Sequence, residues 1–400
     1  MKFKLAVIGC GGVGIRHIEG IAQLYRAGFE DIEIAAVCDL DRVKAEQAIA
    51  KIAVLQGTTP RVYTDYKRMI KEVDLDAVDI CLPHHLHHTV AIDCLEEGLN
   101  VLIEKPLAIT MRAARRIMET AEKYNKVLAV AENYRRRIED RAVKVAVDKG
   151  LIGEPRLVIW TITHWNPYHA GWREDKFKAG GSWILDGGVH MADLDRYHLG
   201  KEPIEVYGKV TLYEPIKSGL KVTVDDTSLA LIVYEGNAYS HWFWSRATPA
   251  YTIETRMIYG SKGAIAIEGP PWAYRLKSIR IQHKDYVEEL SGRYIGDRLR
   301  SLMDKELEER WFPYGVTYSF ATEIYDFYYA CTHGVKPEVD GWEAYRDMAV
   351  IFAIYESSVL GEPVKIEDIE KLKIEEYQSE INEKLGICLL YTSPSPRDRG

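Results

Sequence analysis

Three glycines near the start of the chain have the type and spacing to hold a pyrophosphate. Gly9, Gly11 and Gly14 form GxGxxG within the run Gly9-Cys-Gly-Gly-Val-Gly14. Gly9 permits a tight turn, Gly11 lets backbone approach the phosphates, and Gly14 allows the next helix to pack closely on the preceding strand. Gly12 and Val13 belong to the same turn. The pyrophosphate would rest on the N-terminal end of the helix that follows, where backbone N–H groups and the helix dipole favour an anion. Asp39, at the end of the next apolar run, is spaced to take the ribose hydroxyls of the adenosine half. Its carboxylate would repel a 2′-phosphate, so NAD is expected. Arg42, three residues on, could receive such a phosphate and leaves NADP open.

These residues need a strand, a turn and a helix to position them. Lys4–Ile8 is an almost unbroken apolar run, as in a strand buried on both faces. Ile15, Ile18, Ile21, Ala22 and Tyr25 then recur at helical spacing, and Gly28 can end the helix. Glu33–Cys38 reads as the second strand. The alternation continues with a helix from Asp41 to about Gln56, a strand at 77–82, a helix at 89–97 and a strand at 100–103. A helix capped by Thr110 and a strand at 127–131 follow. Alternating strands and helices predict a parallel sheet covered on both faces. After about residue 155 the segments 156–163, 222–234, 238–245, 251–258 and 264–268 are rich in β-branched and aromatic residues with short turns between them, which predicts antiparallel hairpins. Helical periodicity returns at 318–333 and 342–360. The fold class is therefore α/β: a Rossmann domain over 1–131, then an α+β domain over 132–387.

The tail 388–400, beginning Cys-Leu-Leu-Tyr-Thr-Ser-Pro-Ser-Pro, breaks from the preceding composition and reads as non-native. A net charge of −8 argues against nucleic acid and anionic membrane surfaces as partners. No segment reads as a membrane span. Six cysteines without CxxC spacing suit reduced thiols, so a cytoplasmic location is expected.

Three further motifs stand out: Pro83-His-His-Leu-His87, Glu104-Lys105-Pro106, and Gly180-Gly-Ser-Trp-Ile-Leu-Asp186-Gly-Gly-Val-His190-Met-Ala-Asp193. With the glycine turn and His17, they resemble the Gfo/Idh/MocA family of oxidoreductases over roughly residues 3 to 366. The resemblance implies two domains, the second with a large open sheet, and a nicotinamide between them. It implies that Lys105 is the catalytic lysine and His190 the acid/base histidine, with Asp186 four residues earlier. Leu82, Glu104 and Lys105 would border the cofactor. It also puts His87 against the cofactor, while His84 replaces the family's more frequent asparagine. The sheet would pair subunits as a homodimer or homotetramer, with His241, Trp242 and Trp244 suited to its exposed face.

The residue types make sense chemically. Oxidising a secondary alcohol needs a base for the hydroxyl proton, and histidine titrates near neutrality. A lysine ammonium beside the same oxygen stabilises an alkoxide or polarises a carbonyl. Asp186 could orient either group or hold a second hydroxyl. Tyr134, Arg135, His164, Trp172 and Arg173 are the remaining candidates for substrate contacts, since aromatics stack on sugar faces and Arg or His bind hydroxyls and carboxylates. The four histidines at 84, 85, 87 and 88 lack a Cys or acidic partner at metal-site spacing, so no metal is expected. The leading reading is an NAD-dependent dehydrogenase or reductase of a carbohydrate. Its rivals are a glycosidase using NAD as an internal redox carrier and a non-catalytic NAD-binding regulator.

Overall fold

Six strands, β1 (Phe3–Ile8), β2 (Ile32–Cys38), β3 (Arg61–Tyr63), β4 (Ala77–Ile80), β5 (Asn100–Glu104) and β6 (Leu128–Ala131), lie in the order β3-β2-β1-β4-β5-β6. Every pairing among them is parallel. The computed structural model describes residues 2–269, 275–292 and 295–388. Of the tail read as non-native, 389–400 lie outside the described residues. All four residues of β4 and of β6 are buried, as strands covered on both faces require.

The helix Gly12–Arg26 follows the glycine turn, and Thr110 caps the helix Met111–Lys123 by accepting from Ala113 N. Three local readings differ from the sequence expectation. The helix expected over 89–97 begins at His84, directly after Pro83, so the histidines are helical. The stretch after Asp41 breaks into Arg42–Ile49 and Ala53–Gln56. The strand β3 and the helix Tyr66–Glu72 gave no signal, because three residues are too few to show a period.

The later part builds a nine-stranded sheet. Its strands are β7 (Pro155–Thr163), β8 (Pro203–Thr211), β11 (Thr227–Tyr234), β12 (Ala238–Ser245), β13 (Ile253–Gly260), β14 (Gly263–Glu268), β15 (Arg275–Gln282), β16 (Val287–Ser291) and β17 (Val364–Lys365). A two-stranded ribbon, β9 (Ile216–Lys217) and β10 (Leu220–Lys221), stands apart. The order is β16-β15-β14-β13-β7-β12-β11-β8-β17, and only β7 with β12 runs parallel. β15 escaped the sequence reading because Arg275, Lys277, Arg280 and Gln282 occupy its outward positions.

The tryptophans expected on the open face are inside. Trp242 and Trp244 are fully buried, while Tyr239 and His241, at the alternate positions before them, point out. Alternation along the strand sends residues two apart to one side, and the apolar pair takes the core. The outer face still carries Tyr207, Leu229, Leu231, Tyr239 and Tyr259, all more than a third exposed.

The chain then returns to its beginning. The helix Ser319–His333 packs on the helix Gly12–Arg26, where a Cβ on Gly20 would stand 3.0 Å from Ala321 N. Ile18, Ile21, Ala321, Ile324 and Phe327 share one buried cluster there.

Candidate active site

β1 and β4 are neighbours whose chains continue to opposite sides of the sheet, and a crevice opens beyond their carboxyl ends. A cleft of about 760 Å³ begins there and is lined along its length by the glycine turn, the Lys105 loop and residues of the second part.

The turn is built for a close-lying ligand. A Cβ on Gly9 would stand 2.2 Å from Cys81 O, and one on Gly14 would stand 1.9 Å from Gly9 O. Gly9 also has φ +98°, a region that L side chains seldom adopt. Above Gly11 and Gly12 there is nothing within 4 Å. The helix that starts here has no side-chain cap and no acid in its first turn. Uncapped N–H groups bordering a cleft fit a pyrophosphate. Asp39 lines the same cleft and is fixed by backbone: its Oδ2 accepts from Cys10 N at 2.8 Å and its Oδ1 from Asp41 N at 2.8 Å. Each oxygen keeps a lone pair for a ribose hydroxyl.

Two residues expected at the cofactor act elsewhere. Gly14 touches the Gly9 carbonyl and does not line the cleft, so its task is packing. Arg42 is exposed and turned along its own helix to Glu46 at 2.8 Å, while Lys44 and Leu40 border that end of the cleft.

At the other end, Lys105 Nζ lies 2.6 Å from Asp186 O and 2.8 Å from Asp186 Oδ1. The Lys105–Pro106 peptide is cis. Asp186 Oδ2 accepts from Arg173 Nε at 2.8 Å, and His84 Nε2 is 3.7 Å from Oδ1. Burial disfavours a charged Asp186, but Lys105, His84 and Arg173 outweigh it and hold its pKa well below the usual carboxylate range. Burial likewise opposes the Lys105 ammonium, and Asp186 with Glu104 reverses that, leaving its pKa raised.

His190 faces the cleft from the helix Gly188–Leu199. Its Nδ1 lies 2.6 Å from Glu132 Oε1, and its ring stacks on Tyr134 with centroids 3.6 Å apart. That leaves Nε2 as the nitrogen for a ligand. Burial, then Lys105 and Arg137, pushes the His190 pKa well below its ordinary value. Burial raises Glu132 to about 7 against the pull of Tyr134 N, Lys105 and Arg135.

The rest of the Gly188–Leu199 helix is anchored by charge. Asp193 is buried and accepts from Arg135 Nε at 2.9 Å. Asp195 accepts from Trp160 Nε1 and Trp242 Nε1, each at 2.9 Å, and from Arg256 Nη2 at 3.0 Å. Arg135, expected at the substrate, thus serves the helix beneath it. His164, also expected there, continues β7 past Thr163, with its N bonded to Ser245 O at 2.9 Å, and is not among the lining residues. Tyr134, Trp172 and Arg173 do line the cleft, as do Leu82, His84 and Glu104.

His87 is the third correction at the cofactor. It is fully buried, with Nδ1 2.9 Å from Pro106 O and Nε2 2.8 Å from Leu82 O. It ties the Lys105 loop to the Leu82 loop from behind. Beneath Lys105, Glu104 Oε2 accepts from Lys105 N at 3.0 Å and its Oε1 lies 3.1 Å from His17 Nε2. His17 Nδ1 meets Asp79 at 2.8 Å. Glu132 and Arg137 went unnoticed in the sequence. The signal for Glu132 was its position: a carboxylate directly after an apolar strand, at the end where parallel sheets bind ligands.

A Rossmann sheet with an open glycine turn, facing a second part whose Trp172, Arg173, Asp186 and His190 line the same cleft, defines a dinucleotide-binding protein of two parts. The model of the oxidoreductase family with an NAD-binding Rossmann fold matches residues 3–132, and that of the GFO/IDH/MocA C-terminal domain matches 141–266. The chain belongs to the Gfo/Idh/MocA family of NAD-binding oxidoreductases. Myo-inositol 2-dehydrogenase of Thermotoga maritima is 26% identical over 309 residues, 76% of this chain and 85% of that protein. Alpha-N-acetylgalactosaminidase of Shewanella oneidensis is 32% identical over 155 residues, 38% of this chain and 33% of that protein. A levoglucosan dehydrogenase solved in complex with NADH has the same fold, with TM-score 0.76 and 22% identity over 92% of this chain and 99% of that one. Among the described residues no helix is long and apolar enough to cross a membrane.

Proposed function

We propose that the chain interconverts a secondary alcohol and a ketone on a sugar, a polyol or a derivative of one. The observation that carries this reading is the sharing of one cleft by the glycine turn, Lys105, Asp186 and His190. Bound NAD would supply the hydride acceptor or donor. Gly9, Gly11, Gly12, Val13 and Asp39 would hold it. His190 Nε2 takes the hydroxyl proton in oxidation and returns it in reduction. Lys105 donates a hydrogen bond to the same oxygen and stabilises its negative charge. Asp186 keeps Lys105 charged and aimed, and Glu132 fixes the His190 tautomer through Nδ1. Tyr134 and Trp172 offer flat apolar faces to a sugar ring.

The inositol and glucoside dehydrogenases among its relatives support a carbohydrate substrate. The glycosidase reading draws on a likeness to only a third of the Shewanella protein. The outer sheet face, with its exposed Tyr207, Leu229, Leu231, Tyr239 and Tyr259, supports pairing with a second copy.

The test is a panel of sugars and polyols followed by NADH absorbance, after release of any cofactor retained through purification. Net NADH formation from an alcohol supports the reading. Glycoside cleavage without net NADH would replace it with the glycosidase, and NAD binding with no turnover would replace it with the regulator.

A further inference from the structure

We infer that Arg16 is the counter-charge for the diphosphate of the bound dinucleotide, and that Phe320 of the returning helix positions it. This rests on the cofactor end of the proposed reading and deepens it.

Arg16 lines the cleft beside Gly11, Gly12 and Val13. It is the fifth residue of the helix Gly12–Arg26. Cα–Cβ bonds tilt toward a helix's N-terminus, so a long side chain one turn in reaches back over the first turn. That first turn is the uncapped one, whose backbone N–H groups border the cleft.

The Arg16 guanidinium lies over the Phe320 ring, 5.9 Å from its centroid. Phe320 is buried, packs on His17 with ring centroids 5.4 Å apart, and lines the same cleft. It stands at the start of the helix Ser319–His333, whose first turn also has no side-chain cap and no acid. Tyr318 and Ser319 border the cleft there too. Two uncapped helix ends thus meet one cleft, and Arg16 is carried by one and lies over an aromatic of the other.

Among the described residues Arg16 makes no hydrogen bond and no ion pair. Glu19, one turn further along its helix, is taken by Arg26 at 2.7 Å. Asp39, the acid that lines this end, is held by the N–H groups of Cys10 and Asp41. Lys44, the other cation at this end, faces Asp41 at 3.8 Å. A helix end supplies only about half a unit of positive charge, whereas each phosphate of a dinucleotide carries a full negative one. A guanidinium supplies the difference and fits phosphate oxygens in bidentate geometry. An aromatic ring restrains it without occupying its N–H donors.

The experiment measures NADH affinity by fluorescence on the intact protein and on Arg16→Gln, Arg16→Lys and Phe320→Leu. ADP-ribose, adenosine and NADPH are the further probes, and melting midpoints check that each variant is folded. Arg16→Gln should weaken NADH and ADP-ribose alike by about tenfold or more and leave adenosine unchanged. Arg16→Lys should recover part of the loss. Added salt should weaken NADH binding less in Arg16→Gln than in the wild type. Phe320→Leu should weaken NADH severalfold, but by nothing further when Arg16→Gln is already present. Unchanged NADH affinity in Arg16→Gln, or an equal loss of adenosine, would overturn the inference. A loss confined to NADPH would overturn it by placing Arg16 on a 2′-phosphate. Equal losses from Phe320→Leu with and without Arg16 would overturn the part given to Phe320. Arg16-dependent NADH binding without turnover of any sugar or polyol would keep the inference and overturn the proposed function.

Discussion

Glu132 Oε1 and His190 Nδ1 lie 2.6 Å apart, and burial has moved their proton affinities toward and across one another. Above about pH 7, Glu132 is a carboxylate that accepts from Nδ1–H, and the Nε2 lone pair is free to take a proton. Below it, the protonated Glu132 donates to Nδ1, and Nε2 carries the hydrogen. Alcohol oxidation should therefore fall as pH drops through about 7, and carbonyl reduction should rise. Glu132→Gln offers an amide N–H in place of the carboxylate and selects the wrong tautomer for oxidation. It should lower oxidative kcat by about 10²-fold and remove the limb near neutrality, as seen in kcat/KM against pH.

Lys105→Ala and His190→Ala should each keep NADH affinity within severalfold and lose turnover by about 10³-fold or more. Fluorescence titration with NADH and initial rates separate the two effects. Wild-type rates in either variant would remove that residue from the chemistry.

Arg135→Met leaves Asp193 buried without its cation. The expected cost is about 3 kcal/mol of folding stability, read from denaturant midpoints. A change confined to KM, with stability intact, would return Arg135 to the substrate.

Gly14→Ala sets a methyl 1.9 Å from the Gly9 carbonyl. The turn must shift, and NADH affinity should weaken by about 10- to 100-fold. An unchanged dissociation constant would show that the turn does not bear on the cofactor.

Leu231→Glu places a charge at the centre of the outer sheet face, opposite His241 and Tyr207. If copies of the chain pair there, light scattering on the wild type shows a multimer and the variant moves toward the monomer mass. Identical masses for the two would exclude this face as the contact.

The sequence was most legible where local chemistry and position coincide. The glycine turn, Asp39 and the Lys105 loop each sit next to a strand whose apolar run announces it. Arg42 misled because spacing along the chain cannot tell which way a helix turns its side chains, and Arg42 is turned to Glu46. Arg135 and His87 misled for a related reason. Both are polar residues near a site, and only three-dimensional contact separates a group that meets the ligand from one that holds the wall. Trp242 and Trp244 were read to the wrong side of the sheet because an open sheet's period gives two faces without naming the core. Asp195, 35 residues after Trp160 and 45 before Ser240, has no local signal for the cluster it completes.

The return of the Ser319–His333 helix to the Gly12–Arg26 helix has a consequence for protein engineering. Residues 1–131 contain the entire parallel sheet, which invites their use as a portable NAD module. Cut there, the fragment would present Ile18, Ile21 and Gly20 as a bare groove shaped to a helix it no longer carries. A transplant should therefore include the distant segment, joined by a linker, or replace the groove residues with polar ones.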